Sequence, residues 1–109
     1  MLEKWKENIF LAIISQDLEK LKRVTQESDK RNLNFSDEDG NTPLHFSSDR
    51  QNEKTLPIVQ FILENGGDPL AVNIRFETPL DKAKQNNNVP AMSVMNYFIS
   101  KQNIELENQ

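Results

Sequence analysis

Apolar residues recur along the chain at spacings of three and four, in short stripes separated by polar loops, which is the signature of amphipathic helices. The first stripe, Ile9, Ala12 and Ile13, predicts a helix beginning near Asn8. Before it, Leu2 and Trp5 are the apolar residues of a polar start, and Trp5 is expected to cover the edge of the first helix pair rather than face a partner. Ser15-Gln16-Asp17 interrupts the pattern, and either Ser15 or Asp17 can cap a second helix. There Leu18, Leu21 and Val24 form a narrow apolar line, with Glu19, Lys20, Lys22, Arg23 and Thr25 on the polar side. Glu27 to Asp39 is polar except for Leu33 and Phe35, so Leu33-Asn34-Phe35 reads as a short extended piece entering a turn at Asp37–Gly40.

A second helix pair begins at Thr42. Gly40 can take the positive φ of a tight turn, Thr42 can accept from an orphan backbone N–H, and Pro43 falls where a helix does not need its N–H. Leu44, Phe46 and Ser47 are expected to face inward, Asp49 to Thr55 to form a polar loop, and Leu56 to Glu64 the next helix. Ile58, Val59, Phe61, Ile62 and Leu63 make that helix apolar nearly all round, so it should be covered on more than one side. Asn65-Gly66-Gly67-Asp68-Pro69 ends it, with glycine at the C-cap and proline shortly after. A third pair then copies the second at an offset of 36 residues. Thr78-Pro79-Leu80 matches Thr42-Pro43-Leu44, Ala83 matches Ser47, Met92 matches Leu56, and Tyr97-Phe98-Ile99 matches Phe61-Ile62-Leu63. Asn86-Asn87-Asn88 falls on the loop Arg50-Gln51-Asn52. The chain contains an internal repeat.

Two short helices per unit, a period near about 33 residues and a Thr-Pro-Leu-His start resemble the ankyrin repeat. The resemblance rests on Asp37-Glu38-Asp39-Gly40-Asn41-Thr42-Pro43-Leu44-His45, on Ile58-Val59 with Ile62-Leu63, and on Asn65-Gly66-Gly67-Asp68-Pro69, and it spans residues 8 to 103. It implies an all-α fold, an ankyrin-repeat solenoid of stacked helix-turn-helix pairs joined by β-hairpin-like loops. The units would span about residues 5–36, 37–72 and 73–104, with a tail at 105–109, in a single domain. Phe76 stands where the turn glycine is expected and Asp81 where the histidine is expected, which bears on how tight the third hairpin is. The second and third units also carry extra residues between their helices. Such units bury their apolar faces only against stacked neighbours, so end units need polar outer faces. Lys20, Lys22, Arg23 and Thr25 provide one at the start, whereas Val94, Met95, Tyr97, Phe98 and Ile99 keep an internal pattern at the end. Three readings of that last face stay open: the tail folds over it through Ile104 and Leu106, further repeats follow in a longer parent protein, or it is a partner or self-association surface centred on Val94, Tyr97 and Phe98.

Composition narrows the chemistry. At 109 residues and 36% apolar, one domain with a thin, elongated core is expected, and a net charge of −4 argues against bulk attraction to nucleic acid or anionic membrane. No apolar run approaches the roughly 20 residues of a membrane span, and Glu3, Glu7 and Asn8 are unlike a secretory leader. Cysteine is absent, so disulfides and thiolate metal sites are too. His45, the one histidine, has no second histidine with which to share a metal, and no nucleophile or phosphate-binding motif occurs. Asp37, Glu38 and Asp39 lack the alternation of a calcium loop and read as a solvated tip. The basic residues Lys20, Lys22, Arg23, Lys30 and Arg31 are interrupted by acids and read as a solvated helix face. No catalysis, cofactor or metal is expected.

What the resemblance implies is protein recognition, by an intracellular, cytoplasmic module, on hairpin tips and the inner face of the first helices. On matching positions these are Glu38, Asp39, Asn41, Asp49 and Arg50 in the second unit, and Ile74, Arg75, Glu77, Gln85 and Asn86 in the third. His45 is implied to bond neighbouring backbone and steady its turn. Ile74, Arg75 and Phe76 combine apolar, guanidinium and aromatic groups as interface hot spots do, or else Ile74 and Phe76 pack between hairpins. The acidic second tip suits a partner protein with a basic surface, and self-association through the last repeat face is the alternative.

Overall fold

Local capping explains where several of the helices begin. In the computed structural model, which describes residues 3–27, 32–49 and 52–107 (104–107 by backbone alone), six helices follow in order. They are α1 (Lys4–Ile14), α2 (Leu18–Glu27), α3 (Pro43–Ser48), α4 (Thr55–Glu64), α5 (Pro79–Gln85) and α6 (Val89–Glu107), and no strand occurs among the described residues. The two Thr-Pro starts form the same reciprocal cap. Thr42 Oγ1 accepts from His45 N while Thr42 N donates to the His45 ring; Thr78 Oγ1 accepts from Asp81 N while Thr78 N donates to Asp81 Oδ2. Asp17 caps α2 by accepting from Lys20 N at 3.0 Å, whereas Ser15 belongs to the end of α1, its hydroxyl donating to Leu11 O. Gly66, at φ +100°, ends α4 in the left-handed region.

Each helix pair packs on the next: α1 on α2 and α3, α3 on α4 and α5, and α6 on both α4 and α5. Ile9, Ile13, Leu21, Leu33, Leu44, Ile58, Ile62 and Met95 fill the seams between pairs. α4 is covered on two sides, as its near-continuous apolar surface demands. Trp5 does close the edge of the first pair, edge-on to Phe35 at 5.2 Å, while Phe10 bridges Phe35 and Phe46.

Several expectations change. α1 starts four residues before Asn8, because Trp5 joins the aromatic cluster and gives that turn something to pack on. Thr25 is buried rather than solvated, its hydroxyl returned to Leu21 O at 2.7 Å. The body is not elongated: it measures 37 × 33 × 28 Å with a radius of gyration of 13.3 Å, the value of about 13 Å expected for a compact domain of this length. Three helix pairs stack only about as high as they are wide. The third interhelical loop is short, since α5 reaches Gln85 and α6 opens at Val89. Finally, α6 does not stop at the repeat boundary. Nothing after Ile99 caps or breaks it, so its backbone continues to Glu107 rather than turning back across the face, while the side chains of Ile104 and Leu106 lie outside the described residues.

Candidate functional site

The two hairpin tips are built by the same device. Asp37 Oδ1 accepts from the backbone of Asp39 and Asn41, and Asn73 Oδ1 accepts likewise from Arg75 and Glu77. Gly40 N donates to Asp37 O at 3.1 Å and Phe76 N to Asn73 O at 3.0 Å, with φ of +78° and +62° at the two turn residues. The third hairpin is therefore as tight as the second, and Phe76 bears the strain of the left-handed region.

Between the tips runs a polar tie. Ile74 N donates to Asp39 O at 3.0 Å, and Asn73 Nδ2 donates to Asn41 Oδ1 at 2.9 Å. His45 completes it. Its Nδ1 accepts from Thr42 N, which leaves the proton on Nε2, and Nε2 donates to Glu77 O at 2.8 Å. Burial of the ring pushes the His45 pKa below its ordinary 6.5, so it stays a neutral link. The tie requires glycine at position 40: a Cβ there would stand 2.9 Å from Asn73 Cα. On the third hairpin the matching places hold Phe76 and Asp81, a side chain where space was left and an acceptor where a donor bridged.

Glu77 is the electrostatic centre of the pocket. Its carboxylate accepts from Gln85 Nε2 at 2.9 Å and from Asn73 Nδ2 at 3.2 Å, and lies 3.3 Å from Lys82 Nζ. These donors, Gln85 first, then Asn73, then Lys82, lower its pKa from 4.5 to about 2. The charge is committed internally.

The structure thus gathers Asp39, Asn41, Ile74, Arg75 and Glu77 around a shallow polar hollow of about 200 Å³ and ties Gln85 to it through Glu77. Glu38 is exposed beside it on the second tip. Asp49 and Asn86 are exposed at the far ends of α3 and α5 and do not line the hollow, and Arg50 lies outside the described residues. Asn73 and Lys82 also line it and were not singled out from sequence, although Asn73 sits 36 residues after Asp37 and inherits its turn role. Beside the hollow an exposed apolar row alternates along the third hairpin: Leu70, Val72, Ile74 and Phe76 are 51, 59, 64 and 84% exposed. Ile74 and Phe76 therefore do not pack between hairpins. Val94, Tyr97 and Phe98 sit elsewhere, in an open groove of about 660 Å³ between α4 and α6 that Gln60, Leu63, Glu64, Ser93 and Lys101 complete. Tyr97 is exposed there, whereas Val94 and Phe98 are half-buried against the core. No group of three acidic or histidine residues able to hold a metal forms among the described residues.

Against known proteins, residues 39–74 match the family model described as "Ankyrin repeat". The chain is also similar to the human transient receptor potential cation channel subfamily A member 1, with 30% identity over 84 residues. That alignment takes in 77% of this chain and 7% of the channel, so the chain spans less than a tenth of the relative it matches.

Proposed function

Since the chain is an ankyrin-repeat protein, a family whose repeats generally serve protein–protein interaction and are generally not enzymes, we propose that it is a non-enzymatic scaffold, adaptor or inhibitor binding a partner protein through its hairpin tips. The observation that supports this is the exposed row Leu70, Val72, Ile74 and Phe76 beside Arg75, next to the acidic second tip. Four solvent-facing apolar side chains on one short hairpin are unusual for a surface with no partner. Because Phe76 and Asp81 replace the glycine and histidine that seat one hairpin on the next, this row suits a partner other than a hairpin stacked in the same register. Glu38 and Asp39 attract a basic partner surface, Arg75 supplies a guanidinium, and the ends of α3 and α5 at Asp49 and Asn86 extend the inner face. Glu77, Gln85 and Asn41 hold the tip geometry more than they offer free groups. The proposal includes an intracellular, cytoplasmic setting; no helix among the described residues is long and apolar enough to cross a membrane.

A second reading, association of copies through the α4–α6 groove, draws on the exposed Tyr97 and the size of that groove. Affinity purification from source cells separates the two. The parent chain would be run beside a variant with Glu38→Lys, Asp39→Lys and Arg75→Glu. A protein captured by the parent and lost by the variant supports the tips. Undiminished capture, or a molar mass that rises with concentration and returns to monomer in Tyr97→Glu, moves the function to the groove.

A further inference from the structure

Asn65-Gly66 is the one Asn-Gly step in the chain. The side-chain amide carbon of an asparagine is open to attack by the backbone nitrogen of the following residue, and glycine, lacking Cβ, hinders that nitrogen least. We propose that Asn65 is a deamidation site whose reactivity is gated by the last turn of α4.

The geometry separates a free nucleophile from a tethered target. The Gly66 nitrogen makes no hydrogen bond among the described residues. Asn65 is itself held at three points. Its Nδ2 donates to Phe61 O at 2.8 Å, its N donates to Ile62 O at 3.1 Å, and its O accepts from Leu33 N at 2.9 Å. Gly67 N closes the same turn on Ile62 O at 2.9 Å. Attack requires the Nδ2–Phe61 bond to break and Asn65 to rotate, so only the opened turn reacts. The neighbouring chemistry at Asp39-Gly40 differs, because Gly40 N is already donated to Asp37 O.

In the open turn the Gly66 nitrogen loses its proton to hydroxide and bonds to Asn65 Cγ. The Cγ–Nδ2 bond breaks and ammonia leaves, closing a five-membered succinimide. One water molecule then adds to either ring carbonyl. The products are aspartate at position 65 or its isomer, in which the main chain runs through Cγ, and the balance is asparagine plus water giving aspartic acid plus ammonia. Either product removes the donor to Phe61 O and sets a carboxylate at the negative end of α4. The isomer also lengthens the main chain where Asn65 O accepts from Leu33 N, a hydrogen bond joining the end of α4 to the segment that connects the first two helix pairs. The site thus couples covalent ageing to loosening of that joint, independently of the binding surface.

The test is to age the full chain in buffer and in urea, at neutral and raised pH, and to read each asparagine by peptide mass spectrometry with isoaspartate-specific methylation. Aspartate and isoaspartate should accumulate at position 65 ahead of every other asparagine, faster as pH rises. The rate should be about tenfold or more higher in unfolding urea than in buffer, since it follows the population of the open form. Asn65→Gln, which would need a less favourable six-membered closure, should abolish the product. Equal rates in buffer and urea, equal modification elsewhere, or no product at position 65 in the unfolded chain would overturn the proposal. Asn65→Asp should lower the urea midpoint, and an unchanged midpoint would refute the consequence drawn for α4.

Discussion

His45 tests whether the polar tie between tips governs coupling between the second and third helix pairs. The perturbation is His45→Ala, compared with Asp81→Ala at the matching position. The ring is 1% exposed, accepts from buried Thr42 N and donates to Glu77 O. Stranding a buried N–H costs about 1–3 kcal/mol and losing the second bond about 1 kcal/mol. The cavity left by the ring adds about 1 kcal/mol. The expected loss is therefore about 3–5 kcal/mol, a large part of the roughly 5–15 kcal/mol that holds a domain together. Asp81 makes the same cap but bridges to nothing beyond it, and it is half-buried, so Asp81→Ala should cost about 1 kcal/mol. His45→Asn should fall between the two, because its amide can accept from Thr42 N as Asp81 does at Thr78 but is too short to reach Glu77. The assay is urea unfolding at neutral pH followed by circular dichroism and by the fluorescence of Trp5, which sits in the first helix pair. If the tie couples the units, the two signals coincide in the parent chain and separate in His45→Ala. A loss in His45→Ala no greater than in Asp81→Ala would refute the reasoning.

Other outcomes follow from the same geometry. Gly40→Ala should destabilise by more than about 1–2 kcal/mol, from positive φ and the approach of Asn73, whereas Phe76→Gly at the matching turn should be neutral or stabilising by up to about 1 kcal/mol because its side chain touches little; thermal melts of the pair read the opposite signs. Acidification should weaken the fold in two steps. Both groups have folded-state pKa values below their unfolded ones, so each contributes stability above the unfolded value and loses it as pH falls: His45 first, from 6.5 downward, then Glu77 between about 4.5 and about 2. Urea midpoints across that range, in the parent and in Glu77→Gln, check the second step. In the core, Ile62→Ala should cost about 2–5 kcal/mol in urea unfolding while Tyr97→Ala stays within about 0.5 kcal/mol.

Much of this protein is determined locally, and that part was legible from residues alone. Thr42-Pro43 and Thr78-Pro79 start helices because a hydroxyl and a fixed φ act within one turn, and Gly66 stops α4 for the same reason. The offset of 36 residues then dictates stacking, since each pair exposes an apolar face that only its copy can cover. Side-chain fate at the tips was decided elsewhere. Whether Ile74 and Phe76 are buried depends on what lies beyond the third hairpin, and whether Glu77 is free depends on Gln85, Asn73 and Lys82 converging on it in space. The packing of Trp5 is likewise a tertiary outcome, since Phe35 has to arrive beside it, whereas the length of α6 follows locally from the lack of any stop after Ile99. Sequence determines the repeat because its signals act over a few bonds; only the stack decides which polar groups are consumed in holding it together and which remain exposed.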